Sequence, residues 1–213
     1  MTLQDVFDHL QDGELRLLAI GEDGDVGDVE SNRHRLIGPI NLGLTALHKR
    51  FFLRRGEFHI PVTTGEATYV VQRNDLFKIE QVFTPDACEL GINDGKPNSI
   101  LLESYNTLRV PLEVRMRAEQ LTVVYRADHP TIDKAMGISN PGSVQLSLPA
   151  SHMEALLYFV ASRLFNPMGG HVEQHEGNNY ARKFEMACRE LENGGLQMTQ
   201  SLEQTKFERN GWV

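Results

Sequence analysis

Cysteine is almost absent. Cys88 and Cys188 stand a hundred positions apart and belong to no CxxC or Cys/His cluster, so neither a disulfide framework nor a zinc site has support, and a reducing compartment is expected. No run approaches the roughly 20 apolar residues of a membrane span. The opening Met1-Thr2-Leu3-Gln4-Asp5 has neither the basic start nor the apolar run of a secretory signal. The expectation is a soluble chain made in a cytoplasm, with no membrane partner. Positive charge is also scarce. The 21 Lys and Arg against 29 Asp and Glu leave a net −8, whereas surfaces that grip phosphate cluster their basic residues. Direct DNA binding is disfavoured, but passage of DNA along the protein is not.

The familiar catalytic patterns are missing as well. There is no GxSxG elbow for a nucleophile, and no GxxxxGK[ST] or GxGxxG loop to cradle a nucleotide. Neither cysteine has a neighbouring histidine. Ser151 and His152 are adjacent, and on a helix they would point to different faces. Asp128-His129-Pro130 has residue types suited to acid/base work but reads as a turn after a strand. His171 and His175, four apart, could share a zinc ion on one helix face, yet the zincin pattern needs Glu directly after the first His, where Val172 stands. With Gly169-Gly170 upstream, this segment reads as a loop leading into a helix, with Glu173 and Glu176 at its positive end. The acidic run from Asp23 fails as a calcium loop, because the sixth and twelfth positions hold Asp28 and His34 in place of Gly and Glu. No catalytic, cofactor-binding or metal-ligating residue is assigned, and the expectation is a non-enzymatic protein without cofactors. The rival from another class is a small metal-dependent hydrolase built around His171 and His175.

What is present is a real core and a change of periodicity. Apolar residues make up 40% of the chain and charged residues 23%, ordinary values for a globular protein. Leu3, Val6, Phe7 and Leu10 recur at helical spacing behind a Thr2/Asp5 capping pair, with a stop at Gly13. Gly and Asp residues over 21–28 read as a surface loop. Leu36, Ile40, Leu44, Leu47 and Phe51 then share a helical face, in which Gly38-Pro39 marks a kink or a first turn. That helix is expected to end near Arg54-Arg55-Gly56. The period then changes to two. Phe58, Ile60 and Val62, followed after Thr63-Thr64-Gly65-Glu66 by Thr68-Tyr69-Val70-Val71, predict a β-hairpin. Further strands are expected at 77–83, 99–102, 107–110 and 121–125, with Arg109, Arg115, Arg117 and Arg126 on a solvated or interface sheet face.

Helix returns after Leu148-Pro149, where Met153, Leu156, Leu157, Val160 and Leu164 form a wide stripe. A more polar helix over 176–192 carries Tyr180, Phe184, Ala187, Cys188 and Leu191 on one face. The fold class expected is α+β. Residues 1–56 and 147–195 form a helical bundle, 57–146 a β-rich insertion, and 196–213 an extended C-terminal arm. The lone Trp212 beside Phe207 and Val213 at a polar terminus suggests docking on a partner.

The run Ile40-Asn41-Leu42-Gly43-Leu44-Thr45-Ala46-Leu47-His48-Lys49-Arg50-Phe51 resembles the start of the head-to-tail adaptor (neck, or head completion) proteins of short-tailed bacteriophages. The similarity extends to Glu154-Ala155-Leu156-Leu157-Tyr158-Phe159-Val160-Ala161-Ser162-Arg163, to Tyr180-x-x-Lys183-Phe184-Glu185, and to the ending Lys206-Phe207-x-x-x-Gly211-Trp212-Val213. It touches most of the chain in outline.

The resemblance implies an adaptor-type helical bundle, assembled as a homo-oligomeric ring of commonly about twelve copies beneath the portal. It further implies a portal protein and tail or nozzle proteins as partners, and a place in the neck of the virion. By that analogy Phe207, Gly211, Trp212 and Val213 meet the portal. The acidic balance suits a channel wall that repels phosphate, with Asp23, Asp25, Asp28 and Glu30, or the helix over 173–192, as lumen-facing candidates. Other structural roles sharing this acidic, motif-free character are a tail-tube, nozzle or head-completion protein.

Overall fold

The structure, a computed structural model, describes residues 1–15, 29–165 and 171–195. It is a mixed α+β fold with two hydrophobic clusters, one helical and one β-rich.

The helical cluster draws on both ends of the described chain. Helix α1 (Leu3–Asp12) opens on the capping box expected from sequence: the Thr2 hydroxyl accepts the Asp5 N–H, and the Asp5 carboxylate accepts the Thr2 N–H. Its buried face is Leu3, Val6, Phe7 and Leu10. Helix α2 (Val29–Arg50) continues through Pro39, which lies in its interior and not in its first turn. An interior proline costs about 3 kcal/mol. Burial of Leu36, Ile37, Ile40, Leu44, Leu47 and Phe51 on the same helical face contributes about 1.5–3 kcal/mol per side chain, so packing outweighs propensity. The helix ends at Arg50, not near Gly56, because Arg55 and Gly56 already belong to a strand.

The β-rich cluster is contiguous in sequence, its buried residues running from Ile60 to Ala127. Strands β1 (Arg55–Pro61), β2 (Thr68–Val70), β3 (Leu76–Phe83), β4 (Glu89–Leu90), β5 (Leu101–Ser104), β6 (Thr107–Arg109) and β7 (Gln120–Ala127) form two antiparallel sheets, ordered β1-β7-β3-β4 and β2-β6-β5. The expected hairpin over 58–71 does not form. β1 pairs with β7, and β2 joins the other sheet with β6. The connecting loop is organised by Tyr69, whose hydroxyl accepts the Thr63 N–H at 2.9 Å and lies 2.8 Å from the Glu66 carbonyl as donor.

Helix α3 (Leu112–Arg117) connects β6 to β7 and buries only Val114. Two of the four arginines assigned to a sheet face, Arg115 and Arg117, therefore sit on a helix. Arg109 is an exposed residue of β6, and Arg126 of β7 is half-buried, lying over the Phe52 ring at 5.2 Å and pairing with Glu80 at 3.3 Å.

The expected β-rich stretch 57–146 leaves the sheets at Ala127. Helix α4 (Lys134–Ser139) follows, and Ile132, Ile138, Val144 and Leu146 pack on the helical cluster. Here the start of the chain is fastened: the Leu3 N–H donates to the Val144 carbonyl at 2.9 Å, and the Leu146 N–H to Met1 at 3.0 Å. Helix α5 (Met153–Phe165), entered through a 3-10 turn at Ala150–His152, carries the predicted stripe and packs on α2 and α6. Helix α6 (His171–Asn193) starts five residues before the expected helix, so His171 to His175 are helical instead of a loop. Its face closes on α5 through Phe165 stacked on Tyr180 (5.3 Å) and Phe159 edge-on to Phe184 (5.3 Å). Arg50 of α2 ties the far end by ion pairs to Glu185 (2.9 Å) and Glu192 (2.6 Å).

Candidate functional site

The expected partner residues Phe207, Gly211, Trp212 and Val213, and the expected lumen residues Asp23, Asp25 and Asp28, lie outside the described residues. Glu30 falls in the first turn of α2, but its side chain is outside what is described, as is that of His171. His175 is exposed. Among the described residues, no group of three or more His, Cys, Asp or Glu is placed to hold a metal ion, and no helix is long and apolar enough to cross a membrane.

The chemistry on view gathers where the two clusters meet. The segment leaving β7 is latched to α2. The Asn41 side-chain amide donates to the Ile132 carbonyl (3.2 Å), and its oxygen accepts the Ile132 N–H (2.9 Å). The Thr45 hydroxyl donates to Asp128 at 3.0 Å. Arg54 donates to the Asp128 carbonyl (2.6 Å) and pairs with Asp75 (3.4 Å). Asp75 in turn accepts from the Tyr125 hydroxyl at 3.2 Å, while Arg73 reaches the same hydroxyl at 3.1 Å. Burial works to raise the Asp75 carboxyl, but the hydrogen bonds and charge of Arg73 outweigh it and hold the group below the usual range. Tyr125 is pushed up, by burial and then by the Asp75 charge.

Three histidines line this seam, and all are buried: His48 on α2, His129 after β7, and His152 at the entry to α5. The rings of His48 and His129 lie 5.6 Å apart, and His152 packs edge-on to Phe51 at 4.8 Å. His48 Nδ1 faces the Leu44 carbonyl at 2.9 Å, which fixes that nitrogen as the donor. The Ser147 backbone lies close to the His48 ring, yet Nε2 makes no hydrogen bond in good geometry; His152 Nε2 is likewise without a protein partner. Burial lowers the pKa of both rings, and each also feels a neighbouring imidazole: His129 beside His48, and His48 beside His152. His129 differs, because its two nitrogens face the Pro130 (2.7 Å) and Asn41 (3.2 Å) carbonyls.

Asp128-His129-Pro130 follows a strand, as expected, with His129 buried, Asp128 half-buried and Pro130 exposed. Ser151 and His152 correct the sequence reading. They sit in a 3-10 turn, not a helix, and Ser151 Oγ lies 3.1 Å from His152 Nδ1. In a hydrolytic triad the serine faces one ring nitrogen and a carboxylate orients the other. Here the other nitrogen has no protein partner. His48 itself was legible as a core position, since it falls four after Leu44 and three before Phe51 on the apolar stripe.

Exposed apolar side chains are scattered over the surface, on α2 (Leu42), the β-rich unit (Val70, Leu101, Tyr105), α3, α4 (Met136) and α6. Leu112 (54% exposed) and Met116 (70%) share one face of α3 at i, i+4 spacing, and Met186 (59%) stands on α6 among Glu185 and Glu190. Comparison with known proteins adds no relative: no protein-family model matches the chain, and no curated protein matches it.

Proposed function

We propose that this protein is a structural subunit of a phage head-to-tail adaptor ring, joining the portal to the tail and forming part of the DNA channel. The observation that carries the reading is the layout: a helical core assembled from both ends of the described chain, around a contiguous β-rich unit. That is the arrangement implied by the adaptor resemblance of residues 40–51 and 154–163. Both runs lie at the heart of the helical core, where Leu44, Leu47, Phe51, Leu156, Leu157 and Val160 are buried.

Two further features support it. A ring joins copies through heterologous surfaces, so two unlike patches are needed. In this reading the exposed Leu112 and Met116 of α3, and Met186 of α6 with its acidic neighbours, are the candidates for such surfaces. The net −8 suits a wall past which DNA slides without a site to stall on. The portal, the tail or nozzle proteins and further copies of the chain are the partners of this reading, and the neck of the virion is its location.

The test is the mass of the protein in solution, alone and mixed with purified portal rings. A monomer that becomes ring-bound in the presence of portal is the expected result; a portal mixture from which the protein elutes unchanged overturns the reading. Replacing Asp23, Asp25, Asp28 and Glu30 by Lys is expected to slow DNA ejection, and unchanged ejection removes those residues from the lumen.

A further inference from the structure

Three buried histidines in one seam are more than packing requires. A buried imidazole is tolerated when neutral and hydrogen-bonded; once protonated it needs a counter-charge or water. His48 is fully buried and His152 is 2% exposed. His152 Nε2 has no protein partner, and His48 Nε2 has only the Ser147 backbone nearby, outside good hydrogen-bond geometry, so neither ring is well furnished to hold a second proton.

The groups facing them are few. From the segment after β7 come His129 and Asp128; from the approach to α5 come the Ser147 backbone, the Ser151 hydroxyl and His152; from α2 itself come the Leu44 carbonyl and Thr45. Helix α6 also packs against the entry turn, but its buried Cys188 and its ion-paired Glu185 and Glu192 are not among the main influences on either ring. Asp128 is the one carboxylate acting on His48, and it is already engaged by the Thr45 hydroxyl and the His129 N–H.

We infer that the seam between the helical core and the β-rich unit is an acid-released latch, in which protonation puts charge on the buried rings of His48 and His152 and frees residues 128–133 from α2. The geometry makes the release local. The Asn41 bonds to Ile132, the Thr45 bond to Asp128 and the contact of His129 Nε2 with the Asn41 carbonyl tie the segment to α2, with Arg54 holding the Asp128 carbonyl just beyond, while the β-rich unit keeps a hydrophobic cluster of its own. This inference does not rest on the adaptor reading.

The sign follows from linkage. Both rings bind a proton less readily when folded. Their contribution is fully present above the ordinary histidine range, near 6.5, and is lost as pH falls below it toward their folded values. Each histidine that takes up a proton on opening raises the opening equilibrium about tenfold per pH unit in that window, so two raise it about a hundredfold. The carboxylates held low, such as Asp5, Asp75 and Asp94, titrate well below the window.

The experiment is amide hydrogen exchange on the full chain between pH 7.5 and 5.0, corrected for the intrinsic pH dependence of exchange. Protection in residues 41–51 and 128–133 is expected to fall by up to about a hundredfold per pH unit, while β3 and β7 keep theirs. In His48→Gln or His152→Gln the fall drops to about tenfold, and in the double variant it vanishes. Constant protection across the seam, an equal loss throughout the chain, or an undiminished slope in the double variant overturns the inference. Should a variant fail to fold, imidazole proton shifts in the native chain decide. Rings of His48 and His152 that titrate near 6.5 with the seam still protected also overturn it.

Discussion

Gly56 lies directly opposite Tyr125 across the β1–β7 ladder, and a Cβ built on it would overlap the Tyr125 ring. The glycine is there so that a strand backbone can pass beneath a phenol whose hydroxyl is pinned by Asp75 and Arg73. Gly56→Ala is therefore expected to destabilise the protein by about 1–3 kcal/mol, the usual range for overpacking a well-filled site. Urea unfolding of the single variant, and of the same change in a Tyr125→Ala background, provides the check. The alanine should cost less once the ring is gone, and equal costs in both backgrounds would discount the contact.

Asn41 makes two hydrogen bonds to the backbone of Ile132 with one side chain. Asn41→Ala leaves an N–H and a carbonyl in a part-buried seam without those partners, at about 1–3 kcal/mol for the unmet groups. A lowered midpoint in thermal unfolding is expected, and Asn41→Asp should restore only the bond that accepts the Ile132 N–H.

The two thiols should separate cleanly by reactivity. Cys88 is exposed, whereas Cys188 is buried and its thiol is pushed up to about 11 by that burial. At pH 8 only about a thousandth of Cys188 is thiolate, the form that reacts. A disulfide reagent is expected to modify one equivalent of thiol quickly in the native protein and the second only after denaturation. Two rapid equivalents would show that α6 opens easily from α2.

Arg50 joins α2 to two carboxylates about two helical turns apart on α6. These pairs are partly solvated, so Arg50→Met is expected to cost only about 1 kcal/mol, and less at high salt. A denaturation series from low to high ionic strength checks the sign of the salt effect.

Much of the helical core was legible because its signals are local. The Thr2/Asp5 box, the 36–51 stripe and the 153–164 stripe each declare themselves within a few turns. Strand positions were legible for the same reason, but strand partners were not. Alternation marks Phe58, Ile60 and Val62 as a strand, yet nothing near them says that β7, some sixty residues on, is the neighbour. Gly56 was misread for a related cause: a glycine after two arginines resembles a helix end, and its actual reason stands at Tyr125. Helix α3 escaped notice because Val114 is its one buried side chain, too few for a period. The histidine seam escaped because its three members are brought together only by tertiary packing.

The continuity of the β-rich cluster has a bearing on how the chain is made. Every buried residue of that cluster has been synthesised once Ala127 emerges, whereas α2 must wait for α5 and for Cys188 on α6 before its apolar face is covered. Domains fold as units as synthesis delivers them, so here the middle closes first. The first helices remain without their later partners until the far end of the chain arrives to complete the core.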